Sequence, residues 1–380
     1  MRTVKTAIIG CGAISGIYIE NLKNMFSVID LVGCHDHGAE KCKAVAEANG
    51  IRALTLEEIL EDRSIELVVN LTQPKAHYQV IKQLLEAGKN VYTEKVLSIK
   101  LEEAQELVQL AEQKHLYLGA APDTFLGSAV QTARQAVERG MIGKVTSCFA
   151  QDNRDYRMMG QIVKFIPKEG GGMGFDVGIY YVTTLLSILG PVEKVNGFLK
   201  YSDSEGQFEL PGDPSFGETY PIESETILAG TLQFKNGAIG SLQFNSESIF
   251  PEQPVIMICG TEGVLYLSDP NCFGGTVWYR AKGSSEKVAL PSTFGYSGNS
   301  RGLGVAEMAW SMLAGRKNRA NKELAYHALE VLHGISISSK TDVSYTLKSS
   351  FEKMPMLKSG FISDYLSSDH LKIDEEGALT

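Results

Sequence analysis

Hydrophobic and polar positions follow one pattern up to about residue 121 and another pattern after it. In the first stretch, short apolar runs such as TAIIG, ELVVNLT and LYLGAA alternate with segments whose apolar residues recur at helical spacing. Strands that alternate with helices are typical of a parallel sheet, and their unbroken apolar runs indicate burial on both faces. The pattern predicts an α/β protein that begins with a doubly wound parallel sheet over residues 1–121.

The second stretch, residues 122–380, contains longer strand-like runs. ETILAGTLQF and GAIGSLQFNS are joined by the short turn KNG, which is a hairpin signal. We therefore expect a second α/β domain with an open, mostly antiparallel sheet that carries helices on one face. The other face would expose apolar residues of both runs, so we expect a homodimer or homotetramer assembled through it.

Composition limits the classes of function. The 380 residues are 43 % hydrophobic and 21 % charged, as in a globular protein with a sizeable core, and the net charge is −9. An acidic surface repels phosphate backbones, so nucleic acid is not an expected partner. The sequence shows no apolar run of membrane-spanning length, no cleavable leader pattern and no C-x-x-C pair among its six cysteines. These features predict a cytoplasmic protein with free thiols and no membrane partner.

A glycine-rich turn follows the first predicted strand in AIIGCGAISG. Gly10 permits the tight turn, and Gly12 lets the backbone approach a pyrophosphate at the start of the next helix. Ser15 stands near the usual third glycine or alanine and is small enough for the same packing. We expect a dinucleotide site lined by Gly10, Gly12, Ala13 and Ile14, although any turn from strand to helix favours glycine.

Asp36 ends the second predicted strand, 26 residues after Gly10. An acidic residue at this place bonds the adenosine ribose hydroxyls and repels a 2′-phosphate, and no arginine follows it directly. NAD is therefore the expected cofactor, with NADP as the alternative. A simpler interpretation is that Asp36 caps the helix that follows.

The stretch CHDH around Asp36 contains several kinds of metal ligand. Neighbouring residues at a strand end point to alternate faces, so they converge poorly on one ion. We therefore expect no metal site.

Two further places carry candidate chemistry. Lys95 follows the predicted strand NVYT, and ligands of open parallel sheets bind beyond the carboxyl ends of the strands, although a solvated lysine is also compatible. In GGGMGFDVGIYY, Asp176 and Tyr180 lie four residues apart on one helical face. Asp176 could simply complement the positive helix start, and Tyr180 could be a core tyrosine. The glycines would let the helix start approach another surface, which we expect to be the cofactor.

Together, the motifs GCGAIS, HD at Asp36, TQPKAHY, LLEAGKNVYTEK and GGGMGFDVGIYY resemble those of the Gfo/Idh/MocA oxidoreductases. The resemblance extends from about Val4 to Ser338. It implies a Rossmann domain followed by an α/β domain for substrate binding and oligomerisation. It also implies cofactor contacts from a second group of residues, namely Thr72, Pro74, His77, Glu94 and Lys95. Catalytic roles are implied for Lys95, Asp176 and Tyr180.

Two positions distinguish this chain within the resemblance. Val96 stands where the family usually has proline after the lysine. Tyr180 stands where the inositol-dehydrogenase type has histidine. The tyrosine is similar to that of the branch containing glucose–fructose oxidoreductase, xylose dehydrogenases and dimeric dihydrodiol dehydrogenase.

The resemblance implies hydride transfer with Tyr180 as the acid/base. Tyrosine is a poor base at its ordinary pKa of about 10, and a neighbouring ammonium such as Lys95 would favour the phenolate. Asp176 would orient the substrate. NRDYRMM, which precedes the glycines, could supply Arg154 or Arg157 to the substrate rim.

The expected function is an NAD(P)-dependent dehydrogenase or reductase that acts on the CH–OH group of a sugar, polyol or related cyclic alcohol. Two alternatives within the same resemblance are a non-catalytic NAD(P)-sensing regulator and an NAD-assisted glycoside hydrolase. Retention of Lys95, Asp176 and Tyr180 favours an enzyme, because a sensor needs no acid/base group.

Overall fold

The computed structural model describes residues 2–202, 205–248 and 255–358, without the side chains of Arg157 and Met158. The chain forms two compact units. Of the described residues, the first unit comprises those up to Gln131, Thr293–Tyr326 and those from Met354 on; the second comprises those within Thr132–Ser292 and His327–Lys353. The domain boundary between residues 121 and 122 stays a prediction.

A parallel sheet forms the centre of the first unit. Its described strands are β1 (Val4–Ile9), β2 (Ile29–His35), β3 (Arg52–Ala53), β4 (Leu67–Asn70), β5 (Asn90–Thr93) and β6 (Leu118–Ala120). They lie in the order β3-β2-β1-β4-β5-β6, so the chain winds outward from β1 in both directions. The predicted doubly wound sheet is confirmed. The carboxyl ends of β1 and β4 are adjacent, and the topological switch point lies there.

Helices connect these strands: α1 (Ser15–Asn24), α2 (Ala39–Asn49), α3 (Leu56–Glu61), α4 (Pro74–Glu86) and α5 (Leu101–Gln113). Local chemistry explains several of their ends. Thr55 and Glu58 form a capping box at the start of α3, and Pro74 occupies the first turn of α4. Gly50 ends α2 in the left-handed conformation.

The second unit is built on a mixed sheet. Its described strands are β7 (Val145–Asn153), β8 (Val192–Tyr201), β11 (Glu225–Phe234), β12 (Ile239–Asn245), β13 (Val255–Gly260), β14 (Gly263–Leu267), β15 (Trp278–Ala281), β16 (Val288–Ala289) and β17 (Tyr345–Thr346). The order is β16-β15-β14-β13-β7-β12-β11-β8-β17. Among the pairs of these strands, β7 and β12 run parallel and the others antiparallel, which confirms the prediction of a mostly antiparallel sheet. Strands β9 (Gly206–Gln207) and β10 (Thr219–Tyr220) pair separately.

The remaining helical segments follow the first five helices along the chain. They are a 3₁₀ turn (Thr124–Leu126), α6 (Ser128–Glu138), α7 (Tyr156–Ile162), a π-helical segment (Gly174–Gly178), α8 (Ile179–Leu189), α9 (Leu303–Ala314) and α10 (Lys322–Thr341). Within the described ranges, every helix is too short or too polar to span a bilayer.

One face of the mixed sheet is covered by helices. Gly197 and Gly230 face α10, where a Cβ atom at either position would lie within 2.9 Å of Ile335. Leu228 and Phe244 are buried on the same side of the sheet. Strand alternation therefore directs most apolar residues of ETILAGTLQF and GAIGSLQFNS toward the helices, and fewer of them reach the open face than expected.

Candidate active site

The dinucleotide loop joins β1 to α1. Gly10 has φ +102°, and a Cβ atom there would lie 2.7 Å from the Leu71 carbonyl carbon, so both conformation and space require glycine. A Cβ at Gly12 would meet nothing within 4 Å, so the loop presents open space at this residue. Ser15 donates its hydroxyl to the Gly12 carbonyl at 2.7 Å and thereby closes the loop onto the helix start. These features fit the cradle of a pyrophosphate.

Asp36 follows β2 and is held against this loop. Its Oδ2 accepts the backbone N–H of Cys11 at 2.8 Å, and its Oδ1 accepts that of Gly38 at 2.9 Å. Burial alone would raise the pKa of Asp36, but the two N–H donors and the nearby Lys41 ammonium together lower it. The N-cap of α2 is Gly38 and not Asp36, so the simpler capping interpretation differs from the structure. The fixed, ionised carboxylate fits a partner of ribose hydroxyls.

His77 connects two loops at the carboxyl edge of the parallel sheet. Its side chain is fully buried, with Nδ1 at 2.6 Å from the Val96 carbonyl and Nε2 at 2.9 Å from the Thr72 carbonyl. Burial lowers the pKa of His77 in spite of these two contacts. Thr72 is itself fixed by its hydroxyl, which donates to Asn70 at 2.7 Å, and Pro74 begins α4. Cofactor contacts from Thr72, Pro74 and His77 stay predictions.

Glu94 and Lys95 come directly after β5, as the sequence predicts. Tyr18 donates a hydrogen bond from its hydroxyl to Oε1 of Glu94 at 2.7 Å, and burial together with the Glu94 charge raises the pKa of Tyr18. The Lys95–Val96 peptide bond is cis. Within the first unit, the structure thus brings Glu94, Lys95, Thr72 and His77 to neighbouring strand ends.

The second unit carries Asp176 and Tyr180 on one continuous helical segment. Asp176 belongs to the π-helical turn and is half-buried, whereas Tyr180 lies in α8, whose residues are all buried. Tyr156 donates its hydroxyl to Oδ2 of Asp176 at 3.0 Å. Burial and the Asp176 charge raise the pKa of Tyr156, so this hydroxyl keeps its proton and orients the carboxylate.

A buried carboxyl group anchors the start of this helical segment. Oε1 of Glu225 accepts the Gly174 backbone N–H at 3.1 Å, and a Cβ at Gly172 would lie 2.1 Å from the Glu225 Cδ. At Gly171 a Cβ would lie 2.1 Å from the Phe165 carbonyl oxygen. The close approach that Gly171 and Gly172 permit is therefore to protein atoms of the second unit, and the expected approach of this helix start to the cofactor stays a prediction. Burial raises the pKa of Glu225 to about 7.

A cavity of about 790 Å³ lies in the second unit next to this helix start. Tyr156, Gly172 and Glu225 belong to its wall, so the partner of Asp176 also faces the cavity. The charged groups among its described lining residues are five carboxyl groups and one lysine, namely Asp155, Glu205, Glu209, Glu225, Glu247 and Lys200. Lys200 forms an ion pair with Glu247 at 2.7 Å. The wall is polar and acidic.

The sequence predicted that Arg154 or Arg157 of NRDYRMM contributes to the substrate rim. The guanidinium of Arg154 pairs with Asp152 at 2.8 Å and with Asp269 at 3.4 Å. Its contact with substrate stays a prediction. The side chain of Arg157 lies outside the described part of the chain.

Sequence reasoning missed two residues of this region. Tyr156 lies in the same NRDYRMM stretch, at the start of α7, but only the two arginines of that stretch were considered as functional residues. Glu225 opens the apolar run ETILAGTLQF, and a carboxylate entering a buried strand needs a partner. Both residues hold the segment that carries Asp176 and Tyr180.

Comparison with known proteins assigns both parts of the chain. Residues 4–121 match the oxidoreductase family with an NAD-binding Rossmann fold, and residues 130–266 match the GFO/IDH/MocA C-terminal domain. An uncharacterized oxidoreductase of Schizosaccharomyces pombe is 30 % identical over 56 % of this chain, which spans 57 % of that relative's length. The scyllo-inositol 2-dehydrogenase (NAD(+)) of Bacillus subtilis is 24 % identical, with 74 % of this chain and 78 % of that protein covered.

A solved structure extends the comparison to nearly the whole chain. Levoglucosan dehydrogenase in complex with NADH and levoglucosan superposes with a TM-score of 0.79 at 15 % identity, covering 92 % of this chain and all of that one. This likeness shows the fold. With matches to both domain models, the chain belongs to the Gfo/Idh/MocA oxidoreductase family, and its first unit has the family's NAD-binding Rossmann fold.

Proposed function

We propose that this protein is an NAD-dependent oxidoreductase that transfers hydride between nicotinamide and the CH–OH carbon of a neutral sugar, polyol or related cyclic alcohol. The observation that carries the proposal is the Tyr156–Asp176 hydrogen bond on the helical segment that also bears Tyr180. A hydroxyl that fixes a carboxylate next to a second tyrosine is what positioned proton transfer needs. A non-catalytic sensor would gain nothing from it.

Each residue has a distinct proposed role. Tyr180 exchanges the hydroxyl proton of the substrate through its Oη atom, and Asp176 accepts a hydrogen bond from the substrate in the orientation that Tyr156 imposes. Lys95 anchors the cofactor from the end of β5, and its pairing with Tyr180 stays a prediction. The bound nicotinamide supplies the site that accepts or donates hydride.

The cavity of the second unit narrows the substrate class. Carboxylates accept hydrogen bonds from polyols, and amide and hydroxyl groups both donate and accept them. Lys200 pairs with Glu247 and burial raises the pKa of Glu225 to about 7, so Asp155, Glu205 and Glu209 provide the excess negative charge that repels phosphate and carboxylate groups. Its volume of about 790 Å³ is within the usual range for a small-molecule site. Neutral polyhydroxylated compounds, including glycosides, are therefore the proposed substrates, and sugar phosphates are disfavoured.

The experiment is a substrate screen with the full chain and NAD, followed by NADH absorbance. The panel pairs neutral sugars, inositols and glycosides with their phosphorylated or carboxylated counterparts. We expect net NADH formation with a neutral member and at least roughly tenfold lower kcat/KM for its anionic counterpart. An anionic substrate that is preferred would contradict the cavity argument alone. Glycoside cleavage without net NADH would assign the NAD-assisted hydrolase instead, and tight NADH binding without any turnover would assign the regulator.

We also propose that the open face of the mixed sheet joins copies of this chain. Strand register places Phe198, Ile239 and Trp278 on the face opposite to α10, with 70 %, 51 % and 43 % of each residue exposed. Phe149 and Met257, which pair across β7 and β13, lie between them. A large apolar face of this kind usually marks an interface, and two-fold symmetry is the commonest arrangement.

Light scattering at micromolar concentration tests the assembly. We expect a dimer or tetramer for the wild-type chain and a shift toward monomer for Phe198→Asp, because a charge would be buried in the interface. Val288→Asp at the outermost strand is the matched control, since it changes an exposed residue at the edge of the sheet. A wild-type monomer would overturn the proposal.

A further inference from the structure

Three buried thiols converge beneath the dinucleotide loop. Cys11 lies in the loop, Cys34 on β2 and Cys42 on α2, and their sulfur atoms all lie within 4.8 Å of one another. The three residues are at most 4 % exposed. The proposed oxidoreductase activity gives this cluster no role.

The spacing of the sulfurs suits a single metal ion. Thiolate sulfurs bind d¹⁰ metals at about 2.3 Å, so three of them around one ion lie about 4 Å apart. Contraction from 4.8 Å to this separation moves each sulfur by about half an ångström. Small rotations about the side-chain torsions of cysteine supply such a shift. A disulfide would use two of the three thiols and leave the third, whereas one ion uses all of them.

The donor set selects the kind of metal. Three sulfur ligands without oxygen or nitrogen donors favour soft ions such as Cu(I). Structural zinc is almost always four-coordinate, and among the described residues the group contains no fourth histidine, cysteine or carboxylate. A three-coordinate ion is therefore preferred to zinc.

We propose that Cys11, Cys34 and Cys42 form a three-coordinate Cu(I) site beneath the dinucleotide loop. Each cysteine that becomes a ligand releases its thiol proton to solvent, and no change of oxidation state is involved. Two slightly exposed members, Cys11 and Cys42, give the ion a path inward. The ligands come from three separate elements, so the site exists only in the folded first unit.

The test is an anaerobic titration of the reduced full chain with Cu(I) held by a competing chelator such as bathocuproine disulfonate. We expect one equivalent of tightly bound Cu(I) and a thiolate-to-copper charge-transfer band in the ultraviolet. Cys11→Ala and Cys34→Ser should each weaken binding at least 100-fold, since losing even an outer partner of a metal ligand costs roughly 10–100-fold. Circular dichroism checks that each variant is folded. If Cys34→Ser does not fold, Cys11→Ala, which changes a residue of a loop and not of a strand, provides the test.

The remaining cysteines provide matched controls. Cys148 is buried like the cluster, with burial raising its pKa to about 12, and Cys272 is exposed. Cys148→Ala and Cys272→Ser should leave the affinity and the absorption band unchanged. Cu(I) that binds with the same affinity to the cluster variants, or that is lost with Cys272→Ser, would overturn the proposal. So would a wild-type chain that holds Zn(II) but not Cu(I) against the chelator.

Discussion

The dinucleotide loop of the first unit and the Tyr180 helix of the second hold their functional groups by different means. In the loop, Asp36 is fixed by two backbone N–H groups, and Gly10 is required by its backbone conformation. In the helix, Asp176 is oriented by a side-chain hydroxyl, and the helix start is anchored by the carboxyl group of Glu225. The backbone N–H groups of Cys11 and Gly38 that hold Asp36 are present whatever side chains these two positions carry. The Tyr156 hydroxyl that orients Asp176 is lost with a single substitution. We therefore expect substitutions in the two regions to separate cofactor binding from turnover.

Tyr180→Phe should have the largest effect. The ring still packs in α8 and only one hydroxyl is lost, so the fold and NADH affinity should persist, while kcat falls by roughly 10²–10⁴, the usual contribution of a positioned acid/base. Steady-state kinetics with the substrate found in the screen and NADH fluorescence titration measure the two quantities.

Tyr181→Phe is the matched control for this prediction. Tyr181 is the neighbouring buried tyrosine, and its ring packs on Phe244 at a centroid distance of 5.4 Å. We expect turnover within a few fold of the wild type. A Tyr180→Phe enzyme with full activity would show that another group exchanges the proton.

Asp36→Ser should change cofactor binding and leave the proton-transfer machinery alone. A charge-assisted hydrogen bond contributes about 1.5–3 kcal/mol, so NADH affinity should fall roughly 10–100-fold and preference should shift toward NADPH. Asp36→Asn keeps an acceptor for the Cys11 N–H while removing the charge, and it isolates the repulsion of the 2′-phosphate. Dissociation constants for NADH and NADPH decide the matter; tighter NADPH binding by the wild type would refute the proposed preference.

Glu225→Gln should give the smallest effect, visible as pH dependence. Folding raises the pKa of Glu225 from 4.5 to about 7, so the folded chain holds a proton that the unfolded chain releases. This contribution to stability is complete below pH 4.5 and is lost as the pH rises through 7. Between pH 6 and 8 the free energy of unfolding should therefore fall by about 1 kcal/mol more in the wild type than in Glu225→Gln.

Urea unfolding of the full chain at the two pH values measures this difference. Asp123 in the first unit is the matched comparison, because burial raises its pKa to about 6 and it accepts the backbone N–H groups of Gly302 and Gly304. Asp123→Asn should change the pH dependence of the free energy of unfolding at a lower pH than Glu225→Gln does, because the pKa of Asp123 is lower. Identical slopes for wild type and Glu225→Gln would mean that the buried carboxyl group is ionised throughout.

Strands and helices could be predicted where their own residues carry a clear apolar pattern, and they were missed where they carry none. β4 was predicted because both of its faces are buried, so its apolar run is unbroken. The two-residue strand β3 was missed, since Arg52 and Ala53 are exposed and carry no apolar pattern. The π-helical turn was also missed, because the apolar spacing of GFDVG does not distinguish it from an α-helix, and the Glu225 carboxyl group that accepts the Gly174 N–H at its start belongs to a distant strand.

The sequence by itself determined the features that depend on neighbours in the chain. A positive φ at Gly10, an acidic residue at the end of β2 and the four-residue spacing of Asp176 and Tyr180 are all set within one turn or one element. Family motifs assembled from such features led to the correct family and fold class.

Only the tertiary structure decided which distant groups meet. CHDH alone argued against a metal site, because adjacent strand residues diverge, yet Cys34 meets Cys11 and Cys42 from two other elements. In the same way, Glu225 lies 51 residues from Gly174 but accepts its backbone N–H. The physical reason is that packing of whole strands and helices sets such distances, and no periodicity along the chain encodes them.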